Sequence, residues 1–79
     1  MDRNDFNTVL HNGTENGDGS VTLNDERVEI GRVTMSTDTT TTRKGRLLRW
    51  SPGLGFLVFF DNGDFGWVND SGPFSPRLI

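Results

Sequence analysis

The chain has 79 residues, 32% of them hydrophobic, and a formal net charge of −3. This length holds one domain, close to the lower limit at which a single core stabilises a chain without disulfides or metal. The absence of cysteine excludes disulfides, thiolate nucleophiles and cysteine-ligated zinc. No apolar run approaches the roughly 18 residues that span a bilayer, and residues 1–7 lack the regions of a secretory signal. We therefore expect a soluble cytoplasmic protein.

Charge and aromatic residues are distributed unevenly. Carboxylates outnumber cations in residues 1–42, whereas arginine and lysine outnumber carboxylates in residues 43–79. Six Phe and two Trp are present, and all except Phe6 lie after residue 49. Much of the core must therefore come from the second half of the chain. Two interpretations fit an acidic half joined to a basic, aromatic half: solvated charge that keeps a small domain soluble, or two-signed faces that steer a partner.

In chain order, the first half of the sequence predicts short strands joined by turns. Thr, Asn, Asp and Gly dominate it, and no apolar set recurs at helical spacing for long, which indicates a nearly all-β chain. Residues 5–10 form either a short strand or a single helical turn. Residues 21–23 and 27–35 flank a hairpin turn at 24–26, and a change of phase at 31–32 predicts a bulge.

The second half of the sequence continues this pattern. Residues 36–42 are polar and repetitive, which predicts a mobile loop. Residues 46–50 form the next strand, and a turn at 51–53 reverses it. The tail, residues 72–79, contains two prolines and then ends in Leu-Ile, as a short closing strand would.

The strongest local signal lies in residues 55–70, where two apolar runs are joined by Asn62 and Gly63. Both residues tolerate positive φ, so the sequence predicts a β-hairpin with a two-residue turn. Such a turn also fixes which residues face each other across the hairpin. The predicted pairs are Asp61 with Asp64, Phe60 with Phe65, Val58 with Trp67 and Leu57 with Val68.

This register divides the hairpin into two apolar faces. Because both faces are apolar, the hairpin either lies inside a barrel or presents one aromatic face to a partner. The first face contains Phe56, Val58, Phe60, Phe65 and Trp67, and the second contains Leu57, Phe59 and Val68.

From residue 27 onward, the order of predicted elements resembles the small barrels of the Src-homology type, including Tudor domains. Residues 58–68, Val-Phe-Phe-Asp-Asn-Gly-Asp-Phe-Gly-Trp-Val, resemble the Tudor pattern of an apolar strand, an acidic-glycine turn and an aromatic-aliphatic strand. Residues 72–79 resemble the Gly-x-Phe-Pro corner and final strand of Src-homology domains. The resemblance implies an all-β chain with a single small antiparallel barrel over residues 27–79, on which an acidic strand-and-turn segment, residues 1–26, packs.

These barrels are binding modules whose ligand sites are aromatic grooves or cages. The resemblance therefore implies a non-catalytic inhibitor or accessory protein that binds a protein partner through an aromatic-lined face. Arg46 and Arg49 would orient that partner. A homodimer formed by edge-to-edge pairing of residues 57–60 is a further alternative. The aromatic residues implied for the partner site are Trp50, Phe59, Phe65, Trp67 and Phe74.

A second resemblance implies a different partner. Residues 45–59 are similar to the opening of cold-shock domains, in which a basic-aromatic strand precedes a Gly-Phe strand that stacks bases. Trp50 and Phe56 occupy the stacking positions, and cations nearby would contact phosphates. This alternative is an oligonucleotide-binding type of barrel that binds single-stranded nucleic acid. The cations are Arg43, Lys44, Arg46 and Arg49.

Residues 14–25 resemble the twelve-residue calcium loop of EF-hand and dockerin proteins, with Asn16, Asp18 and Asp25 at ligand positions. Thr14 stands where the first aspartate is expected, and an Asn-Gly and Asp-Gly turn between two strands explains the same residues. We therefore predict no metal site and no cofactor, and keep a structural calcium loop as an alternative. The sole histidine, His11, has no identifiable catalytic partner, so we expect no enzyme activity.

Overall fold

The computed structural model describes residues 1–34 and 39–79. These residues form a mostly antiparallel sheet with one short helix. The elements are α1 (Arg3–Asn12), β1 (Thr14–Glu15), β2 (Val21–Thr22), β3 (Arg27–Thr34), β4 (Thr39–Ser51), β5 (Gly55–Phe60), β6 (Phe65–Val68) and β7 (Arg77–Leu78).

Helix α1 replaces the strand or single turn predicted near the N-terminus. Asp2 caps it, because its carboxylate accepts the Asp5 backbone N–H at 2.8 Å and satisfies a donor that the first helical turn leaves free. Phe6 and Val9, three residues apart, lie on the side that packs against the sheet, and Val9 is 1% exposed. The helix ends at Gly13, where a Cβ would lie 2.7 Å from the Thr22 carbonyl oxygen.

Strand β4 organises the sheet because three other strands pair with it. Its first part pairs with β3, from Thr34 opposite Thr39 to Arg27 opposite Arg46. Its later part pairs with β5 on one side and with β2 on the other. The full order is β1-β2-β4-β3-β7, with β5 on β4 and β6 on β5. The structure confirms the predicted antiparallel sheet, to which it adds one short helix. The sheet is not closed among the described residues, so a barrel is not confirmed.

The β5–β6 hairpin is present, but the predicted register is wrong by one residue. Phe59 faces Phe65, and Leu57 faces Trp67. The turn is longer than predicted: the Gly63 N–H donates to the Phe60 carbonyl at 2.9 Å, and the Phe60 N–H donates to the Asp64 carbonyl at 2.8 Å. Within this turn only Gly63 has positive φ, at 93°, as in a type I turn followed by a glycine bulge.

A shift of one residue moves side chains to the other face of a strand. Phe65 and Trp67 therefore lie with Leu57 and Phe59, not with Phe56 as predicted. The inner face of the hairpin carries Phe56, Val58 and Phe60, with Gly66 and Val68 opposite.

Three further predictions are corrected in the first half of the chain. Residues 21–23 and 27–35 do not form a hairpin, because β2 pairs with β1 and β4, and β3 pairs with β4 and β7. The bulge lies between Leu47 and Arg49 in β4, not at 31–32, where the β3–β4 register is continuous. In the predicted loop at 36–42, residues 39–42 are strand and residues 36–38 lie outside the described residues.

Other predictions are confirmed. Residues 46–50 belong to β4, and residues 51–53 turn the chain toward β5, with the Leu54 N–H donating to the Ser51 carbonyl. The tail ends in β7, which pairs with β3 through Val28 opposite Leu78. The predicted dimer edge at residues 57–60 is wrong, because β5 is an interior strand between β4 and β6.

The hydrophobic core lies between the inner face of the sheet and α1. Phe6 closes one side of it, with its ring centroid 6.0 Å from that of Phe56. No helix in the described part of the chain is long and apolar enough to cross a membrane. The buried core residues are Val9, Val21, Leu23, Val28, Ile30, Leu47, Phe56, Val58 and Phe60.

Two Phe→Ala substitutions test which face of the hairpin is buried and which is exposed. Phe56→Ala is expected to lower the free energy of unfolding by about 3–5 kcal/mol, because it leaves a cavity at a fully buried ring. Phe65→Ala, at a ring that is 66% exposed, is expected to cost less than about 1 kcal/mol. Urea denaturation measures both values. Equal losses in the two variants would contradict the observed faces.

Candidate partner-binding surface

The outer surface of the hairpin carries a contiguous apolar patch, the outer aromatic face, which consists of Leu57, Phe59, Phe65 and Trp67. Residues paired across neighbouring strands lie side by side on one face of a sheet. The register therefore produces two rows across β4, β5 and β6. The first row is Arg46, Phe59 and Phe65, and the second is Arg49, Leu57 and Trp67.

The rings of this face are open to solvent. Phe65 is 66% exposed and Trp67 is 46% exposed, while Leu57 and Phe59 are half-buried. The centroids of the Phe59 and Phe65 rings lie 4.8 Å apart, with the rings inclined at 46°. This distance is that of a favourable aromatic pair, so the two rings hold each other in place while their outer surfaces face water.

Arg46 borders the outer aromatic face on its β4 side. Its Cζ atom lies 5.4 Å from the centroid of the Phe59 ring, within the range of a cation–π contact. Among the described residues, no carboxylate lies within ion-pair distance of Arg46 or of Lys44. This edge of the face therefore carries two positive charges that form no direct ion pair among the described residues, although both help to lower the pKa of Asp61.

The neighbouring arginines are engaged within the chain. Arg27 donates to both carboxylate oxygens of Asp61, at 2.7 and 3.0 Å. The Arg27 hydrogen bond lowers the pKa of Asp61, and the same bond raises the pKa of Arg27. Arg49 donates to Ser20 Oγ at 2.6 Å and to Asp18 at 3.3 Å. Arg49 thus ties β4 to the β1–β2 turn, whereas the sequence predicted that it would orient a partner.

Trp50 lies on the opposite face of the sheet from Trp67. It pairs with Phe56 in the register of β4 and β5, and its ring meets Phe6 edge-on with a centroid distance of 5.6 Å. Its indole N–H donates to the Asp70 carboxylate at 2.8 Å. The structure therefore places this predicted site residue beneath helix α1, away from the outer aromatic face.

Phe74 lies beside a groove on the inner side of β6. The groove, of about 640 Å³, occupies the opening between β3 and β6 where the sheet does not close. Arg43 lies in it, with Cζ 3.8 Å from the centroid of the Phe60 ring and a guanidinium nitrogen 3.7 Å from the Asp64 carboxylate. Phe74 is 48% exposed, so it extends the aromatic surface around the β6 edge.

The structure separates the residues of the cold-shock resemblance. Phe56 is fully buried, so its ring has no free face for a base to stack on. Trp50 is held under α1 by Phe6 and Asp70. The two stacking positions of that resemblance therefore do not form an exposed pair.

The loop that resembles a calcium site is a turn between β1 and β2. The Asp18 carboxylate accepts the Ser20 N–H and Oγ–H, and these bonds lower its pKa. The Asn16 amide donates to Ser20 and to Thr22. In the part of the chain that the structure describes, no group of three or more His, Cys, Asp or Glu residues is placed to hold a metal ion.

No protein-family model, curated protein or solved structure matches the chain. The Src-homology, Tudor and cold-shock resemblances therefore rest on sequence motifs alone. Of the predicted site residues, the structure brings together Arg46, Phe59, Phe65 and Trp67, and sets Trp50 apart on the other face. Arg49 borders the outer aromatic face beside Leu57, but its guanidinium is engaged by Ser20 and Asp18. The structure also adds Leu57, which the sequence had placed on a face with Phe59 but not with the two β6 rings.

The Arg27–Asp61 pair gives a pH-dependent test of the hairpin. The folded-state pKa of Asp61 is lowered, so the pair's stabilisation is present above the unfolded pKa of roughly 3.9 and is lost as pH falls through the folded value. We expect wild type to be more stable than Asp61→Asn near pH 6, and this difference to shrink toward roughly pH 2. Thermal unfolding across this range measures it. A difference independent of pH would contradict the pairing.

Proposed function

We propose that this chain is a small, non-catalytic binding protein, an inhibitor or accessory protein, that binds a protein partner through the outer aromatic face. The observation that carries the proposal is the joint exposure of Phe65 and Trp67 on one sheet face with Phe59 and Leu57. Contiguous apolar surface of this kind marks interaction sites on small soluble domains.

The composition of the chain strengthens this interpretation. Only 32% of the residues are hydrophobic, and a domain of this length has little apolar surface to spare for its core. Three of its eight aromatic residues, Phe65, Trp67 and Phe74, are nevertheless exposed. Trp and Arg are enriched among the residues that contribute about 2 kcal/mol or more to binding. A partner that covers these rings would recover the free energy of burial that folding leaves unused.

The charges next to the outer aromatic face indicate the charge that the partner's surface carries. Arg46 and Lys44 stand at its β4 side without ion-pair partners among the described residues. A partner with an apolar patch bordered by carboxylates complements this arrangement, because opposite charges at the rim raise the association rate and fix orientation. The chain's own net charge of −3 works against strong binding to phosphates.

The proposed function also implies a particular fold. We propose that residues 27–79 form a small barrel of the Src-homology or Tudor type. In support, β3, β4, β5 and β6 form a meander, and the chain then passes a proline-bearing corner to the short strand β7 beside β3. This succession of elements is the one that the sequence resemblance implies, and binding modules of this class carry aromatic surfaces.

Affinity capture with paired variants tests the proposed surface. Trp67→Ala is expected to reduce the yield of a stoichiometric partner protein by at least about tenfold, as for an interface hot spot, without lowering the melting temperature substantially. Leu54→Ala is the matched control, because Leu54 is 56% exposed in the 52–54 turn, outside the outer aromatic face. Arg46→Glu should weaken capture more than Arg3→Glu, which makes the same charge change on α1.

Three results would contradict the proposal. Equal capture by wild type and Trp67→Ala would remove the outer aromatic face as the site. Unfolding of the Trp67→Ala and Phe65→Ala variants would show that these rings are core. Salt-dependent quenching of Trp67 fluorescence by a single-stranded oligonucleotide, measured in a Trp50→Phe background, would support the nucleic-acid alternative instead.

A further inference from the structure

Strand β6 is an open edge of the sheet. It pairs with β5 on one side, and no described strand pairs with its other side. Its sequence, Phe65-Gly66-Trp67-Val68, contains no proline and no charged residue. Prolines and charged side chains normally prevent edge strands from pairing with other chains, and β6 has neither. The β6 edge is therefore unpaired and can accept another strand, which would lie beside Phe74.

The hydrogen bonds of the hairpin show which β6 backbone groups face this edge. The Phe60 N–H donates to the Asp64 carbonyl, so Phe60 points toward β6, and the Asp61 N–H donates to Lys44, so Asp61 points toward β4. Because backbone groups alternate in direction along an antiparallel strand, Gly66 and Val68 bond to β5. The N–H and C=O groups of Phe65 and Trp67 are then directed outward.

Two outward residues separated by one glycine fit a two-fold axis. If the axis passes beside Gly66, Phe65 of one copy faces Trp67 of the other in a hydrogen-bonded pair, and the same pair forms again on the other side. This register uses all four outward backbone groups of each copy, which gives four inter-chain hydrogen bonds. Gly66 then faces its own counterpart in the close, non-hydrogen-bonded pair, where the missing side chain lets the strands approach.

We propose that a second copy of this chain binds at the β6 edge and forms an antiparallel, two-fold symmetric homodimer centred on Gly66. Such an interface is isologous, since the same surface serves both copies. It places the Phe65 and Trp67 rings of the two copies in two cross-strand aromatic pairs, which are among the favourable pairs of antiparallel sheets. This proposal does not depend on the proposed function, because it requires no other protein.

Charge supports a second copy as the occupant rather than a charged peptide. Two carboxylates flank this strand. Asp64 lies 3.7 Å from Arg43 and faces Val68 of the other copy in the two-fold register, and Asp70, which accepts the Trp50 indole N–H, faces Asn62 of the other copy. No like charges therefore meet, although each copy carries a net charge of −3. Four residues and two rings bury much less than the roughly 800 Å² per partner of a stable complex, so the dimer is weak and concentration-dependent.

Sedimentation velocity and a single introduced thiol test the dimer. Wild type is expected to change from monomer to dimer over a concentration range of roughly 10 µM to 1 mM, which corresponds to a weak complex. The natural chain has no cysteine, so Gly66→Cys carries one thiol. In the proposed register the two Cα atoms lie about 4.5 Å apart, within the span of a disulfide.

Gly66→Cys should cross-link faster than the control Leu54→Cys by on the order of tenfold or more, because pairing raises the local thiol concentration. A Cβ at Gly66 lies 3.2 Å from the Phe60 ring, so this variant has to displace that ring slightly. Two double variants therefore test the same register without it. Phe65→Glu with Trp67→Lys brings opposite charges together and should dimerise, whereas Phe65→Glu with Trp67→Glu should stay monomeric.

The outcomes separate this proposal from the alternatives. A wild type that stays monomeric up to about 1 mM, the upper end of the expected range, would overturn it. A dimer in which Gly66→Cys and Leu54→Cys cross-link equally, or in which both double variants behave alike, would overturn the two-fold register. If the dimer forms as described but wild type captures no stoichiometric partner protein, only the proposed function is contradicted.

Discussion

The turn between Phe60 and Asp64 decides what this protein presents to its surroundings. Three residues, Asp61 to Gly63, connect the strands, and the left-handed conformation is confined to Gly63. A two-residue turn would have set Phe65 and Trp67 on the same face as Phe56, within the core. The longer turn shifts the register by one residue and turns both rings outward. The proposed function and the proposed dimer both depend on that shift.

The rest of the fold supports this hairpin through β4 and α1. The bulge in β4 between Leu47 and Arg49 keeps Leu47 in the core while Arg46 and Arg49 lie on the outer side. Helix α1 covers the inner face, with Phe6 against Trp50 and Phe56. The core is thus closed from one side only, and the outer face of β5 and β6 is left uncovered in the described chain. This one-sided arrangement gives a very small domain both a core and a contact surface.

Much of the architecture could be predicted from local sequence signals. Asn62-Gly63 between apolar runs identified the hairpin, and the prolines of residues 72–79 indicated the closing strand. Long-range pairing could not be predicted in the same way. The 21–23 and 27–35 segments are close in sequence, yet β2 joins β4 because Val21 and Leu23 are buried against the shared core. Helix α1 was missed beyond one turn because Asn and Thr obscure the spacing of Phe6, Val9 and Leu10.

The sequence predicted most of the residues of the candidate site, but not how they are arranged in space. Phe59, Phe65, Trp67 and Arg46 were all identified as partner-binding residues, and the structure brings them together. Trp50 and Arg49 were identified by residue type, and the contacts that engage them within the chain lie 20 to 44 residues away in sequence, at Asp70, Phe6 and Asp18. A sequence read locally carries no information on such contacts. The hairpin register depends on whether the turn has two or three residues, and the Asn-Gly pair is compatible with both.

Proton–proton contacts across the β5–β6 hairpin, measured by NMR, test the central claim most directly. In a non-hydrogen-bonded antiparallel pair the two Cα atoms lie about 4.5 Å apart, so their Hα protons give strong contacts. We expect these contacts between Phe59 and Phe65 and between Leu57 and Trp67. Pairing of Phe60 with Phe65 and of Val58 with Trp67 would instead place both rings in the core and contradict the outer aromatic face.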